Sequence, residues 1–198
     1  MDERIVEQVK KFKYLGTVLT EDGRSIEDVK VRIGMAKDAF NKKKELLTKG
    51  ISKAVKKKIV KTTIWPVAMY GSETWTLRKE ETDRLRAFEM WVWRKMEKIS
   101  WKDKKTNEQV LNSVGEDRSL TDSILKRKKN WIGHVVRGEG LLKLAIEGRM
   151  EGSKSRGRPR MGMIDDLKEG SYSEMKRRAE SREVWRVWMP RTCRKAEN

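Results

Sequence analysis

The sequence predicts a mainly α-helical protein with a short N-terminal β-hairpin, followed by a second helical segment that carries a basic Gly/Arg/Pro loop. Apolar residues recur every three or four positions through most of the chain, which is the period of an amphipathic helix. Aromatic residues alternate with lysines only over residues 9–19. The composition, 39% charged and 36% hydrophobic with eight Trp, favours helices with wide solvated faces over a disordered chain.

The hairpin is predicted from a short alternating stretch. Phe12 and Tyr14 alternate with lysines, and the chain turns at Gly16 before Val18. One hairpin is not a stable sheet by itself, so we expect its partner strands to lie outside this sequence. Residues 1–22 form the first predicted segment.

Residues 23–100 are predicted to form a small bundle of three amphipathic helices. The first begins near Ser25 and ends at Gly50. The second follows, and Pro66 kinks or stops it. The third covers residues 78–99, and short connections between the three favour a bundle.

The remaining chain divides into three predicted segments. Residues 101–137 contain two helices, the first capped by Thr106 and ended by Gly115. Residues 138–162 form the basic loop. Residues 163–198 form C-terminal helices, predicted at about 161–168 and 173–188.

Net charge predicts a polyanionic partner. The 48 Lys and Arg exceed the 30 Asp and Glu, giving +18, and each half of the chain carries +9. Such an excess repels itself unless a polyanion offsets it, so we predict nucleic acid, with an acidic membrane surface as the weaker alternative. A further alternative is that lysine-rich helices only keep the chain soluble.

Several protein classes are excluded. One Cys excludes a disulfide framework, and one Cys with one His excludes a standard zinc site. No apolar run approaches the ~20 residues of a membrane span, and the acidic start is no signal peptide. We therefore expect an intracellular protein, nuclear or cytoplasmic and not secreted, with no membrane partner.

Basic residues form the first candidate site. Three arginines around Gly and Pro cannot form a regular element, so an extended loop would present them to a phosphate backbone or a minor groove. A disordered basic linker is the alternative. Lysine faces on the first two helices would hold a duplex without reading its sequence, although such faces are commonly only solvated. The candidates are Lys42, Lys43, Lys44, Lys53, Lys56, Lys57, Lys58, Lys154, Arg156, Arg158 and Arg160.

Other residues carry weaker chemical signals. His134 is predicted to be a buried, hydrogen-bonded helix residue, with phosphate contact as the functional alternative. Asp165 and Asp166 could hold Mg²⁺, but carboxylates in the first turn of a helix favour the helix dipole without a metal, and we favour that interpretation. Most Trp are expected in the core, while Trp93 or Trp101 could stack on an unpaired base.

Five motifs in order resemble the region downstream of the palm in LINE-like (non-LTR) retrotransposon reverse transcriptases. The resemblance covers about residues 8–188. The motifs are Phe12-Lys13-Tyr14-Leu15-Gly16, Arg32-Ile33 with Ala36, Tyr70-Gly71-Ser72-Glu73-Thr74-Trp75, Trp131-Ile132-Gly133-His134-Val135-Val136-Arg137 and Gly157-Arg158-Pro159.

The resemblance implies a thumb and C-terminal region truncated before the palm. It implies that Phe12, Tyr14, Leu15 and Gly16 lie next to the primer end, and that lysines of the next helices contact the template–primer duplex, an RNA–DNA hybrid or DNA. It also implies that the segment with His134 and Arg137 binds nucleic acid, DNA or RNA.

The resemblance also implies that catalysis depends on residues absent here. The palm's aromatic-x-Asp-Asp turn is missing, and Asp165-Asp166 lies on the wrong side of the Tyr-Leu-Gly segment. We expect no polymerisation by this chain alone, no catalytic residue or metal site, and no cofactor, since Mg²⁺ would belong to the palm. The alternatives are a fragment that works with palm and fingers supplied in trans, and an inactive pseudogene product or domesticated protein-interaction module.

Overall fold

The computed structural model describes residues 8–148, 156–157 and 161–188. These residues form two compact units. The first takes in the described residues up to Gly71 together with Leu77–Leu120, and the second takes in Ser72–Thr76 and the described residues from Thr121 onward. Residues 101–120, predicted as part of a separate second segment, thus pack within the first unit.

Two antiparallel strands begin the first unit. Strands β1 (Lys11–Tyr14) and β2 (Thr17–Thr20) pair with Phe12 opposite Leu19. Leu15 and Gly16 connect them with φ angles of 48° and 83°, the two left-handed residues of a type I′ turn. The predicted hairpin is therefore confirmed.

Helices make up most of the first unit, which confirms the mainly α class. The single helix predicted up to Gly50 is wrong, because Lys43 leaves the helical region (φ −106°, ψ 10°) and its N–H bonds to Phe40, three residues back. The helices are α1 (Ile26–Lys42), α2 (Lys44–Thr48), α3 (Lys53–Ile59), α4 (Trp65–Ala68), α5 (Lys79–Met96) and α6 (Asn107–Val114).

Pro66 changes the helix that contains it without ending it. A π-helical turn, Val60–Ile64, joins α3 to α4, and the chain stays helical through Ala68. Proline lacks an N–H and its ring crowds the carbonyl four residues earlier, and a widened turn relieves both problems. The sequence predicts that Pro66 kinks or stops its helix, and the structure shows a π-helical turn just before it instead of an end.

Aromatic side chains fill the core of the first unit. The Trp65 ring contacts Trp93 edge-on at 5.4 Å and Phe88 at 5.9 Å. Trp93 is completely buried, so its expected stacking on a base is wrong, whereas Trp101 is 83% exposed. Leu85 and Met96 extend the same buried face of α5.

The second unit is built on helix α7 (Leu120–Arg137), which begins at the last residue of the first unit. Its other helices are α8 (Leu141–Glu147), α9 (Tyr172–Glu180) and α10 (Arg182–Val187). Their core contains Ile132, Val136, Leu167, Met175, Ala179 and Trp185.

Three helix predictions in this unit need correction. Helix α8 lies inside residues 138–162, which were predicted to be a loop. Residues 163–167 form turns instead of a helix. The helix predicted over 173–188 is divided at Ser181, whose hydroxyl accepts the Val184 N–H and so begins α10 as a cap. Within the described ranges, no helix is both long and apolar enough to span a membrane.

Candidate nucleic-acid interface

A buried arginine fastens the hairpin to helix α1. The Arg32 guanidinium, 5% exposed, donates from Nη2 to the Gly16 carbonyl at 2.7 Å and lies over the Tyr70 ring, 4.3 Å from its centroid. Asp28, one helical turn before Arg32, accepts the Val18 N–H at 3.0 Å. These contacts fix the turn of the hairpin with charge-assisted hydrogen bonds.

A close backbone approach completes this Arg32 cluster. Gly71 has φ +72°, and a Cβ there would lie 3.1 Å from the Thr17 hydroxyl. Three motifs that are distant in sequence therefore meet around Arg32: the hairpin turn at Gly16, Arg32 itself, and the segment that begins at Tyr70. The sequence analysis did not predict the role of Arg32. A usable signal is that Asp28 and Arg32 stand four residues apart, the spacing of an ion pair on a helix, on the same face as buried Ala36.

The hairpin presents the predicted primer-end residues to solvent. Phe12, Tyr14 and Leu15 are 54%, 58% and 75% exposed, and Gly16 is half-buried beneath the Arg32 side chain. The Phe12 and Tyr14 rings stack with centroids 6.4 Å apart. The structure thus holds two aromatic rings on a fixed turn.

The predicted lysine face on α3 is partly engaged within the protein. Lys53 donates to the Ser113 carbonyl at 3.0 Å, and Lys57 donates to the Gly115 carbonyl at 3.2 Å and lies 3.3 Å from Glu116. Carbonyls at the end of a helix attract cations, so these two lysines hold the end of α6. Lys56 is half-buried, and Lys58 is exposed.

The other predicted basic residues lie apart from this face. Lys42 and Lys44 are exposed and Lys43 is half-buried, all at the junction of α1 and α2. Arg156 is exposed beside Gly157, which has φ +106°. Lys154, Arg158 and Arg160 lie outside the described residues.

A glycine in α7 permits close packing by a tryptophan. A Cβ on Gly133 would lie 2.2 Å from Trp185 Nε1, which donates to the Lys129 carbonyl at 3.0 Å. Ile132 and Val136 face the core on the same helix. This packing explains the glycine of the Trp-Ile-Gly-His motif.

His134 is exposed, so its predicted burial is wrong. Successive helix positions turn by about 100°, and the neighbouring Ile132, Val135 and Val136 occupy the buried side. The imidazole instead lines an open groove of about 710 Å³ along α7. We call this the α7 groove; its lining residues are Lys126, Lys129, Asn130, His134, Arg137, Arg182, Trp185 and Arg186.

The α7 groove is basic, and its lining contains no carboxylate among the described residues. Two of its cations are bound within the unit: Lys129 donates to the carbonyls of Arg186 and Trp188, and Arg137 donates to the Ala179 carbonyl at 2.6 Å. The other cationic side chains on the groove, Lys126, Arg182 and Arg186, are exposed. This arrangement can bind an anion with several charges.

The paired carboxylates belong to two separate ion pairs. Asp166 contacts Lys128 at 2.6 Å, and Lys128 also donates to the Trp75 carbonyl at 2.6 Å. Burial raises the pKa of Asp166 and lowers the pKa of Lys128, despite their mutual attraction. Asp165 contacts Lys168 at 2.8 Å and accepts the Gly162 N–H, and these hydrogen bonds lower its pKa. Both carboxylates therefore stabilise turns rather than the start of a helix.

Comparison with known proteins gives one distant similarity. The chain is 24% identical over 135 residues to an uncharacterized transposon-derived protein of Caenorhabditis elegans. The match covers 67% of this chain and 48% of the relative, so the chain spans about half the length of that protein. No protein-family model and no solved structure matches.

Proposed function

We propose that this chain binds nucleic acid duplexes through their phosphate backbones, as the thumb and C-terminal part of a retrotransposon reverse transcriptase. The observation that carries the binding proposal is the α7 groove, in which cationic side chains from two helices converge without a carboxylate. Similarity to a transposon-derived protein and the five motifs support the transposon assignment.

The spacing of hydrogen-bond donors along the α7 groove suits the phosphate backbone of a nucleic acid. Lys126, Asn130 and His134 follow one another at four-residue intervals on α7, and Arg182 and Arg186 do so on α10. Eight residues of helix rise about 12 Å, while the phosphates of one strand follow every 3.4 Å or so along the duplex axis. The side chains of Lys126, Asn130 and His134 can therefore contact several phosphates in turn. Contacts of this kind carry no sequence information.

In this proposal the first unit binds the same duplex near the primer end. The exposed Phe12 and Tyr14 rings supply a flat apolar surface on a turn fixed by Arg32. Lys42 and Lys44 add positive charge at the junction of α1 and α2. Polymerisation, with its Mg²⁺, would belong to a palm that these residues do not provide.

A salt titration tests the proposal. Full-length protein is titrated with a labelled RNA–DNA hybrid at several salt concentrations, and log K should fall linearly with log salt, with a slope of about −0.9 per phosphate contacted. Replacing Lys126, Arg182 and Arg186 together by Ala should make the slope shallower by up to about 3, equally for all hybrid sequences.

A matched control removes the same charge from other surfaces. Lys79, Lys95 and Arg177 are also exposed and do not line the α7 groove, so their triple Ala variant should keep most of the slope. A flat salt dependence in the unmodified protein, or equal losses in both triple variants, would refute groove binding. Salt-insensitive capture of a protein would instead favour an interaction module.

A further inference from the structure

We propose that Trp91 is a stacking platform for an unpaired nucleotide, which gives the first unit a single-strand binding site distinct from the α7 groove. The inference rests on the proposed nucleic-acid binding and adds a second kind of ligand. Its expected ligand is a short single-stranded overhang next to a duplex.

The Trp91 ring is held in place yet partly exposed. Phe40 contacts it edge-on with centroids 5.2 Å apart, and Phe88 lies nearly parallel to it at 6.3 Å. The Lys37 ammonium lies 5.4 Å from the ring centroid, within cation–π range. A ring fixed by its neighbours loses little side-chain entropy when a base stacks on it.

Two hollows include Trp91 in their walls, each of about 490 Å³, within the size range of small-ligand sites. One lies between α1 and α5 and is lined by Lys30, Lys37 and Arg84; Trp91 forms part of its wall. The other also includes Trp91 and is lined by Arg86, Arg94 and Arg118, with Asp83 as its one carboxylate.

The charges around Trp91 suit a phosphodiester chain. Lys30 and Arg84 lie beside the carboxylates of Glu27 and Glu80, while Lys37 and Arg86 have no carboxylate partner among the described residues. An aromatic ring flanked by cations is the arrangement that binds single-stranded nucleic acid, because every base has a flat face and every nucleotide a phosphate.

Trp101 offers a matched comparison within the same unit. It is far more exposed than Trp91, yet no aromatic ring packs against it among the described residues, and it lines neither hollow. If exposure alone governed stacking, Trp101 would be the platform. If stacking requires a fixed ring that lines a cationic hollow, Trp91 is the platform.

The test compares a blunt duplex with the same duplex carrying a short unpaired overhang. The unmodified chain should bind the overhang substrate about 5- to 150-fold more tightly, the range expected for stacking one base. Trp91→Leu should abolish this advantage and leave blunt-duplex affinity unchanged. Trp101→Leu should retain it.

Photocrosslinking keeps the test decisive if Trp91→Leu disturbs the fold. An overhang containing 5-iodouracil should crosslink to the tryptic peptide 87–94, in which Trp91 is accessible and Trp93 is buried. Crosslinking to Trp101 instead, or blunt-duplex binding without any overhang advantage, would overturn this inference alone. If the unmodified chain binds neither the blunt duplex nor the overhang substrate, the proposed function itself is refuted.

Discussion

Replacing Gly133 by Ala should destabilise the second unit by about 3 kcal/mol, although Ala is the better helix former. The new methyl carbon would lie 2.2 Å from Trp185 Nε1 and 2.6 Å from Cδ1. Both distances are far below van der Waals contact, so the indole must move. Its hydrogen bond to the Lys129 carbonyl would be lost with that movement.

Three effects set the magnitude. Overpacking of a buried site costs typically 1–3 kcal/mol, and contact with several atoms of a rigid ring places this site at about 3. Loss of the buried hydrogen bond adds about 1 kcal/mol. The helix propensity of Ala returns about 1 kcal/mol. The net loss therefore remains about 3 kcal/mol.

Urea unfolding of both forms, followed by tryptophan fluorescence and by hydrogen exchange of α7 amides, measures the effect. Gly34 provides the matched control, because it also lies inside a helix and a Cβ there would meet nothing within 4 Å. Gly34→Ala should raise stability by about 1 kcal/mol. Equal stabilisation by both substitutions would show that Trp185 does not pack on Gly133.

Three other changes have directions that follow from the buried charges. Lys128→Met should cost about 3–5 kcal/mol at pH 7 because it leaves Asp166 buried without its cation. Burial raises the pKa of Asp166, so the loss in the urea midpoint should become smaller as the pH falls towards 4 and more of that carboxyl is protonated; a loss independent of pH would contradict this. Arg32→Lys should loosen the hairpin, because a lysine cannot both reach the Gly16 carbonyl and lie flat on Tyr70. The backbone amide of Val18 should then exchange its hydrogen with solvent faster, and an unchanged exchange rate would refute the role of Arg32. Glu89 accepts the Ser119 and Leu120 N–H groups, and burial raises its pKa, so the native state holds its proton more tightly than the unfolded state. The stability of the unmodified protein relative to Glu89→Gln should therefore fall as the pH rises from 4 to 7, and a constant difference would disprove the linkage.

Short-range sequence patterns were enough to predict the hairpin and the two ends of α6. The hairpin follows from alternation and a glycine turn, and α6 is capped by Thr106 at its start and by Gly115 at its end, as capping rules predict. The break at Lys43 escaped prediction because no residue near it has a marked preference against a helix.

Long-range contacts determined what the sequence could not predict. Trp91 and Trp93 both flank the apolar stripe of α5, and in the structure Trp93 is buried against Trp65 while Trp91 stays partly exposed. Likewise, burial of His134 was the ordinary expectation for a histidine on an apolar helix, but Gly133 admits Trp185 and leaves the imidazole outside.

Intramolecular partners, more than the sum of charges, decide where a polyanion can bind. The row Lys53, Lys57 and Lys61 looks as basic in sequence as any part of the chain, yet each member contacts a carboxylate or a carbonyl of its own unit. A phosphate would have to replace contacts already made there. In the α7 groove Arg182 and Arg186 have no carboxylate partner among the described residues, so a phosphate gains their full attraction. In the proposed function, the excess of +18 therefore predicts the class of ligand, and the distribution of carboxylates and carbonyls favours the α7 groove as its site.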